Sequence, residues 1–342
     1  MTSHGKIRRI AFGWLAMAMF CGGAGAQTQP GSPPAPPLDP VQAIDAAIHA
    51  IDTGDLQTAD RLIREVNAIN PKMSRLQLAS GLYAKELRRF PEAIEALGIY
   101  NETDEGRRDY RGWAALGSVF LDSYMYSSAI GALEKALELA PLDEKEGTTR
   151  AKIALDLART RIGLNNPKDA KESIRDAQSS ASQDAEIQSD VCELASRVGD
   201  EDTARAAGGA AIRAYRSELS VNPLSISAHR GLARCYEVLL QLQSRKLAGN
   251  PNDGEAFIEG ARLLSDLAEI ERRTRLLDAR GLVLQALESN ASSVEWRLLA
   301  ATYEIELGAM GEAQAHIDDV LKTDPNNANA LALRNRLAPA NR

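Results

Sequence analysis

Enzyme chemistry needs side chains that converge, and this chain of 342 residues carries few that would. Beyond residue 26 the histidines are His49, His229 and His316 and the cysteines are Cys192 and Cys235, each far from the next. None of these residues falls into HExxH or CxxC spacing, and G-x-S-x-G, a phosphate loop ending in GK[ST] and a calcium loop are also absent from the sequence. Asp318 with Asp319, and Glu269 with Glu271, are paired carboxylates on helically periodic segments, where a solvated face accounts for them. The run Asn252, Asp253, Gly254, Glu255 reads as a turn followed by a helix start, not as a metal cage. His229 stands on an apolar helical face, which predicts a packed imidazole. The expectation is therefore no enzyme, no catalytic residue, no cofactor and no metal.

The elements that would position a site begin after a removable leader. Lys6, Arg8 and Arg9 precede an apolar stretch at residues 10–20, and Ala24-Gly25-Ala26 supplies a small-x-small end. This is the pattern of a secretory signal peptide spanning residues 1–26. Eleven residues rise only about 16 Å as a helix, roughly half a hydrocarbon core, which disfavours a retained membrane span. Ile7 and Ala11 depart from the twin-arginine pattern, and the bulky Phe20 before Cys21 departs from that of lipoproteins. Cleavage after Ala26 removes three positive charges and no acid, taking the net charge from −7 to −10. Such a surface does not seek nucleic acid. Two remaining cysteines are too few to frame a fold, so they read as buried thiols or as one bridge. Residues 27–39 form a Pro-rich disordered linker, with Pro30, Pro33, Pro34, Pro36 and Pro37.

From residue 40 onward the sequence repeats. The clearest unit has Tyr110, Trp113, Leu116, Gly117 and Phe120 on one helical face, then Ala129, Leu133 and Ala136 on a second, then Pro141. Gly117 and Ala129 are small where two helices would cross, and Pro141 ends the second helix. The spacing of the second helix returns as Ala59, Ile63, Val66 with Pro71 and as Ala313, Ile317, Val320 with Pro325. A glycine stands five residues before the small alanine at Gly54, Gly199 and Gly308, where it permits a tight turn. Asn70-Pro71, Asn222-Pro223, Asn250-Pro251 and Asp324-Pro325 supply stop signals.

These residues resemble the tetratricopeptide repeat, with its W-x2-L-G-x2-Y, A-x3-F and P positions. The resemblance implies an all-α fold, a right-handed α-solenoid of stacked helix-turn-helix repeats, over residues 40–342. Units are expected to open near residues 40, 74, 110, 151, 185, 226, 260 and 294, about eight in all with two irregular, plus a C-terminal capping helix. Extra length is expected near residues 143–150 and 217–225. A single long helix is expected over residues 226–247, and two helices meeting near Glu271 over residues 255–289. In the last unit Trp296, Leu299, Ala300 and Tyr303 lie one residue out of step with Ala313, which implies an insertion in the turn.

The resemblance also implies where a partner would bind. Counted along the first helices, the inner positions are Arg75, Leu78, Leu82, Lys85, Arg111, Ala114, Ser118, Leu121, Lys152, Leu155, Arg159, Arg230 and Arg234, opposed by Glu186 and Glu193. They predict a mostly basic track on an acidic body, suited to an acidic or C-terminal segment of another protein. The Lys and Asn of the family's carboxylate clamp are missing. The functional expectation is an exported, periplasmic scaffold or adaptor that holds a peptide or partner helix. The alternatives are a structural factor in an envelope secretion, pilus or polysaccharide-export assembly, or an accessory of an envelope enzyme.

Overall fold

The computed structural model describes residues 39–141 and 147–337. The expected leader and, apart from Asp39, the expected Pro-rich linker lie outside the described residues. Among the described residues the protein is helical throughout, with no strand. The helices run in hairpins: α1 (Pro40–Asp52) with α2 (Leu56–Ile69), α3 (Ser74–Glu86) with α4 (Phe90–Glu102), and α5 (Tyr110–Asp122) with α6 (Tyr126–Leu139). They continue as α7 (Gly147–Gly163) with α8 (Pro167–Ser180), α9 (Ala185–Arg197) with α10 (Glu201–Val221), and α11 (Ile226–Gly249) with α12 (Gly254–Ser289). The last are α13 (Val294–Leu307) with α14 (Met310–Thr323), and then α15 (Ala328–Leu337). The architecture is an α-solenoid of stacked helix-turn-helix hairpins.

One turn explains most of the hairpins. A residue with left-handed backbone recurs at Gly54 (φ 80°), Arg88 (57°), Tyr124 (59°), Asn165 (55°), Gly199 (68°) and Gly308 (88°). At each, the next N–H donates back across the turn, as Asp55 to Ala50 at 2.8 Å, Met125 to Phe120 at 2.8 Å and Ala309 to Glu304 at 2.8 Å. The left-handed residue itself donates to the carbonyl three residues before it, which completes a Schellman closure of the first helix. Five residues later in every case comes a fully buried alanine: Ala59, Ala93, Ala129, Ala170, Ala204 or Ala313. The closure fixes the angle between the two helices, and the alanine lets them touch. Asp55, Asn166 and Asp200 cap the second helices, while Asp109, Asp184 and Ser225 cap first helices. Asn70, Asn222, Asn250 and Asp324, each before a proline, close α2, α10, α11 and α14.

The crossing residues trade volume. A Cβ on Gly117 would lie 2.6 Å from Leu133 Cγ, and one on Gly81 would lie 2.5 Å from Leu97 Cγ. In α9 and α10 the sizes are reversed: Cys192 takes the glycine's place and Gly208 the leucine's, with a Gly208 Cβ landing 2.9 Å from the sulfur. Leu239 of α11 fills the remaining space.

Two expectations are corrected. α12 is one helix of 36 residues through the expected break at Glu271, so no separate unit opens near residue 260. The stretch from Glu269 to Arg275 holds no glycine, proline or cap, and ion pairs of Glu269 with Arg272 and Arg273 and of Glu271 with Arg275 brace it as helix. The last hairpin carries no insertion either. Ala301, fully buried, stands as far before Gly308 as Gly117 stands before Tyr124, so the register runs through Arg297, Ala300, Ala301 and Glu304 and not through Trp296. The extra length expected near residues 217–225 is a continuation of α10 to Val221.

Candidate functional site

The candidate site is the face shared by the first helices. α1, α3, α5, α7, α9 and α11 each pack on the next, with the second helices behind them. The packing leaves polar side chains from successive helices within reach of one another.

The structure reassigns several of the expected inner residues. Leu78 is fully buried and Leu155 is 1% exposed, so both belong to the core and not to a binding surface. Leu82 and Leu121 are half-buried against core clusters. Ser118 is half-buried, and Lys152, Arg230 and Arg234 are exposed.

The track is also not a free basic one. Arg75 on α3 meets Asp45 on α1 at 2.7 Å and Glu105 at 3.5 Å, and Lys85 meets Glu86 at 3.7 Å. Arg111 is held by Asp109 at 2.9 Å. Arg159 on α7 bridges Asp156 at 2.9 Å and Asp190 on α9 at 2.7 Å, and Arg234 on α11 takes the other Asp190 oxygen at 3.2 Å. Cation and carboxylate therefore alternate across three successive first helices. Sequence reasoning counted the cations by repeat position and missed Asp45, Asp156 and Asp190, which stand at a neighbouring position of the same helices. Among the described residues, Lys152 and Arg230 have no carboxylate within 4 Å.

Environment sets the charges. Burial works to raise the Asp109 carboxyl, but hydrogen bonds from Arg111 and from the Tyr100 hydroxyl at 2.7 Å hold it below the usual carboxylate range. Burial raises the Tyr100 hydroxyl, and the Asp109 carboxylate adds to it. At Asp156 burial prevails over Arg159, and the carboxyl is raised.

Two grooves open on this side. One of about 370 Å³ lies between α11 and α12 and is lined by Arg230, Ala233, Arg234, Glu237, Glu271, Thr274 and Arg275. The other, about 710 Å³, lies between α13 and α15 and is lined by Val294, Leu298, Leu299, Thr302, Ala332 and Leu333 together with Glu295, Asn327, Asn329 and Arg336. Sequence reasoning opened the last unit near residue 294 but carried no inner positions into it. Counting from Val294 as from Tyr110 would have put Leu298 and Thr302 at inner positions.

The residues first considered for chemistry are dispersed. His229 is fully buried, its Nδ1 2.8 Å from the Ser225 carbonyl oxygen. Cys192 and Cys235 are free and buried, and burial pushes the Cys192 thiol up to about 12. Among the described residues no three of His, Cys, Asp and Glu are grouped to hold a metal, and no helix is long and apolar enough to cross a membrane.

The chain matches no protein-family model and no curated protein sequence. Its fold is similar to solved helical structures at low identity. A MamA double mutant aligns over 52% of this chain and 96% of its own, with 15% identity and a TM-score of 0.42. A further MamA protein aligns over 53% of this chain and 94% of its own, with 18% identity and a TM-score of 0.41. The pilF protein of Pseudomonas aeruginosa aligns over 86% of this chain and 96% of its own, with 11% identity and a TM-score of 0.42. The assignment to a helical-repeat architecture rests on the chain's own six Schellman-closed hairpins.

Proposed function

We propose that the protein is a non-catalytic scaffold that holds a segment of a partner protein along its first helices. The observation that carries this reading is the row of α1 through α11, which lines up half-buried and exposed polar side chains from separate hairpins on one side. An extended segment crossing that row would meet both signs of charge, because Asp156, Arg159, Asp190 and Arg234 alternate there. An acidic segment finds its best footing at Lys152 and Arg230, which meet no carboxylate within 4 Å among the described residues. The leader pattern of residues 1–26 supports export to the periplasm, with the Pro-rich linker holding the solenoid off its N-terminal neighbour.

The reading is tested by comparing proteins crosslinked to the chain in its native envelope with those crosslinked to a Lys152→Glu, Arg230→Glu variant. Both positions are exposed, so the variant keeps its fold. A partner lost or weakened at least severalfold supports the inner face as the binding site, and an unchanged set removes it. The structural-assembly reading makes the opposite prediction: inner-face changes are harmless, and deletion of residues 328–342 disturbs assembly.

A further inference from the structure

The first half of α12 presents an apolar stripe to solvent on the side away from its own hairpin. Ala256, Leu263, Leu267 and Ile270 face α10 and α11 in one cluster with Tyr215, Leu232 and Tyr236 or lie buried beside it. On the other side Phe257 is 55% exposed, Ile258 58% and Leu264 59%, and Ala261 and Ala268 are exposed as well. Residues 257, 261, 264 and 268 step by four, three and four, the spacing of a continuous seam along one helix. The seam ends at the ion pair of Glu271 with Arg275.

We propose that this stripe pairs with the same stripe of a second copy, with the two α12 helices antiparallel. The sequence of sizes makes the seam complementary to itself. When Ala261 is set level with Leu264 of the second copy, Phe257 falls level with its Ala268, so each large side chain meets a small one and the helices close without a gap. Asp253, Arg272 and Glu271 keep the partners they have within the chain, Lys246, Glu269 with Glu306, and Arg275, so the pairing rests on the apolar seam alone. A parallel pairing would set Phe257 on Phe257 and Leu264 on Leu264 and leave the alanines facing one another across a void.

Size fixes the strength. The three large side chains each offer roughly 100 Å² and the alanines little more, so pairing buries roughly 800 Å² over both copies, below the roughly 1,200–2,000 Å² of standard stable interfaces. The pair is therefore a reversible dimer that responds to concentration, with a dissociation constant on the order of 10–100 µM.

Sedimentation velocity of the chain from residue 27, from about 1 to about 300 µM, tests the proposal alongside the Leu264→Glu variant. The expected result is a monomer-to-dimer transition whose midpoint moves up by about tenfold or more in the variant, with unchanged helical circular dichroism. A chain that stays monomeric throughout, or a midpoint moved less than about twofold, overturns the proposal. Direction is read by introducing one thiol at a time, since Cys192 and Cys235 are buried. In the antiparallel pair Ala261→Cys residues lie about 4.5 Å apart along the axis and Ala268→Cys residues about 16 Å, so a short bismaleimide joins the first and not the second. Equal crosslinking at both positions contradicts the antiparallel seam.

Discussion

The ten helices from α1 to α10 and the three from α11 to α13 solve the same packing problem in two ways. In the first region every hairpin is closed by a left-handed residue, a Schellman pair of hydrogen bonds and a buried alanine, and first helices touch one another. In the second the turn between α11 and α12 has no left-handed residue, and α12 lies between α11 and α13, which make no substantial contact. α12 is about 54 Å long, yet only Ala256, Leu267 and Leu277 are buried along it. Its first half packs on α10 and α11, and its second half reaches α13 through Arg280, which meets the fully buried Glu304 at 2.7 Å. Regularity here comes from the turns: where the closing turn is missing, the helix runs on and the row of first helices is interrupted.

The largest expected effect breaks the regular region. Ala129→Arg should cost about 3 kcal/mol or more through overpacking and a buried unpaired charge. Glu134→Arg, on the outer face of the same helix, should cost about 1 kcal/mol, because Glu134 receives Arg161 at 3.1 Å and the new arginine would oppose it. Chemical denaturation of the two variants checks the difference, and equal costs would contradict the assigned crossing.

Next comes the irregular region. Glu304→Ala strips the partner from the largely buried Arg280 and should cost about 2–3 kcal/mol, less in a Glu304→Leu, Arg280→Leu pair. pH separates the regions further. Burial raises the Glu304 carboxyl above 4.5 against the pull of Arg280 and His316. The folded chain then holds that proton more tightly than the unfolded chain, so the stability it contributes is complete below 4.5 and is lost as pH rises through the folded value. Asp109 and Asp200 lie below 3.8, so their contributions are present above 3.8 and are lost as pH falls through the folded values. As pH falls from neutrality toward 4.5 the melting temperature of the parent should rise relative to Glu304→Gln, while hydrogen exchange in α3–α6, corrected for intrinsic rate, stays constant.

A smaller effect sharpens the crossing rule. Gly208→Ala should cost about 1–2 kcal/mol by crowding the Cys192 sulfur, and Cys192→Ala in the same chain should recover much of it. A double-mutant cycle with no coupling would contradict the reciprocal packing. The smallest effect is a gain: Arg88→Gly and Tyr124→Gly should each stabilise by about 0.5–1 kcal/mol, since side chains are strained at these backbone angles, and Asn165→Gly by less.

How much of this was legible follows from which residues announce themselves. Gly54, Gly199 and Gly308 marked three closing turns and Asn165 marks a fourth more weakly, but Arg88 and Tyr124 adopt the same conformation with no compositional signal, because neighbouring hydrogen bonds and the buried alanines impose it. Stop signals such as Asn70-Pro71 were readable because proline cannot continue a helix. α12 was misread because weak repeat residues suggested a break while its Glu and Arg pairs support a continuous helix. The candidate site was half legible. Repeat counting found Arg159 and Arg234, but their shared carboxylate, Asp190, comes from a third helix and is visible only once the helices stack. Glu304 reads as a surface residue in sequence and is fully buried because the register of α13 runs through Ala301.

The central claim is that the first-helix face receives a partner. A photo-activatable side chain placed at Ser118, on α5, should form covalent adducts with another protein in the native envelope, and the same group at Gly131, exposed on α6, should not. Adducts of equal yield at both positions, or adducts at Gly131 alone, would contradict it.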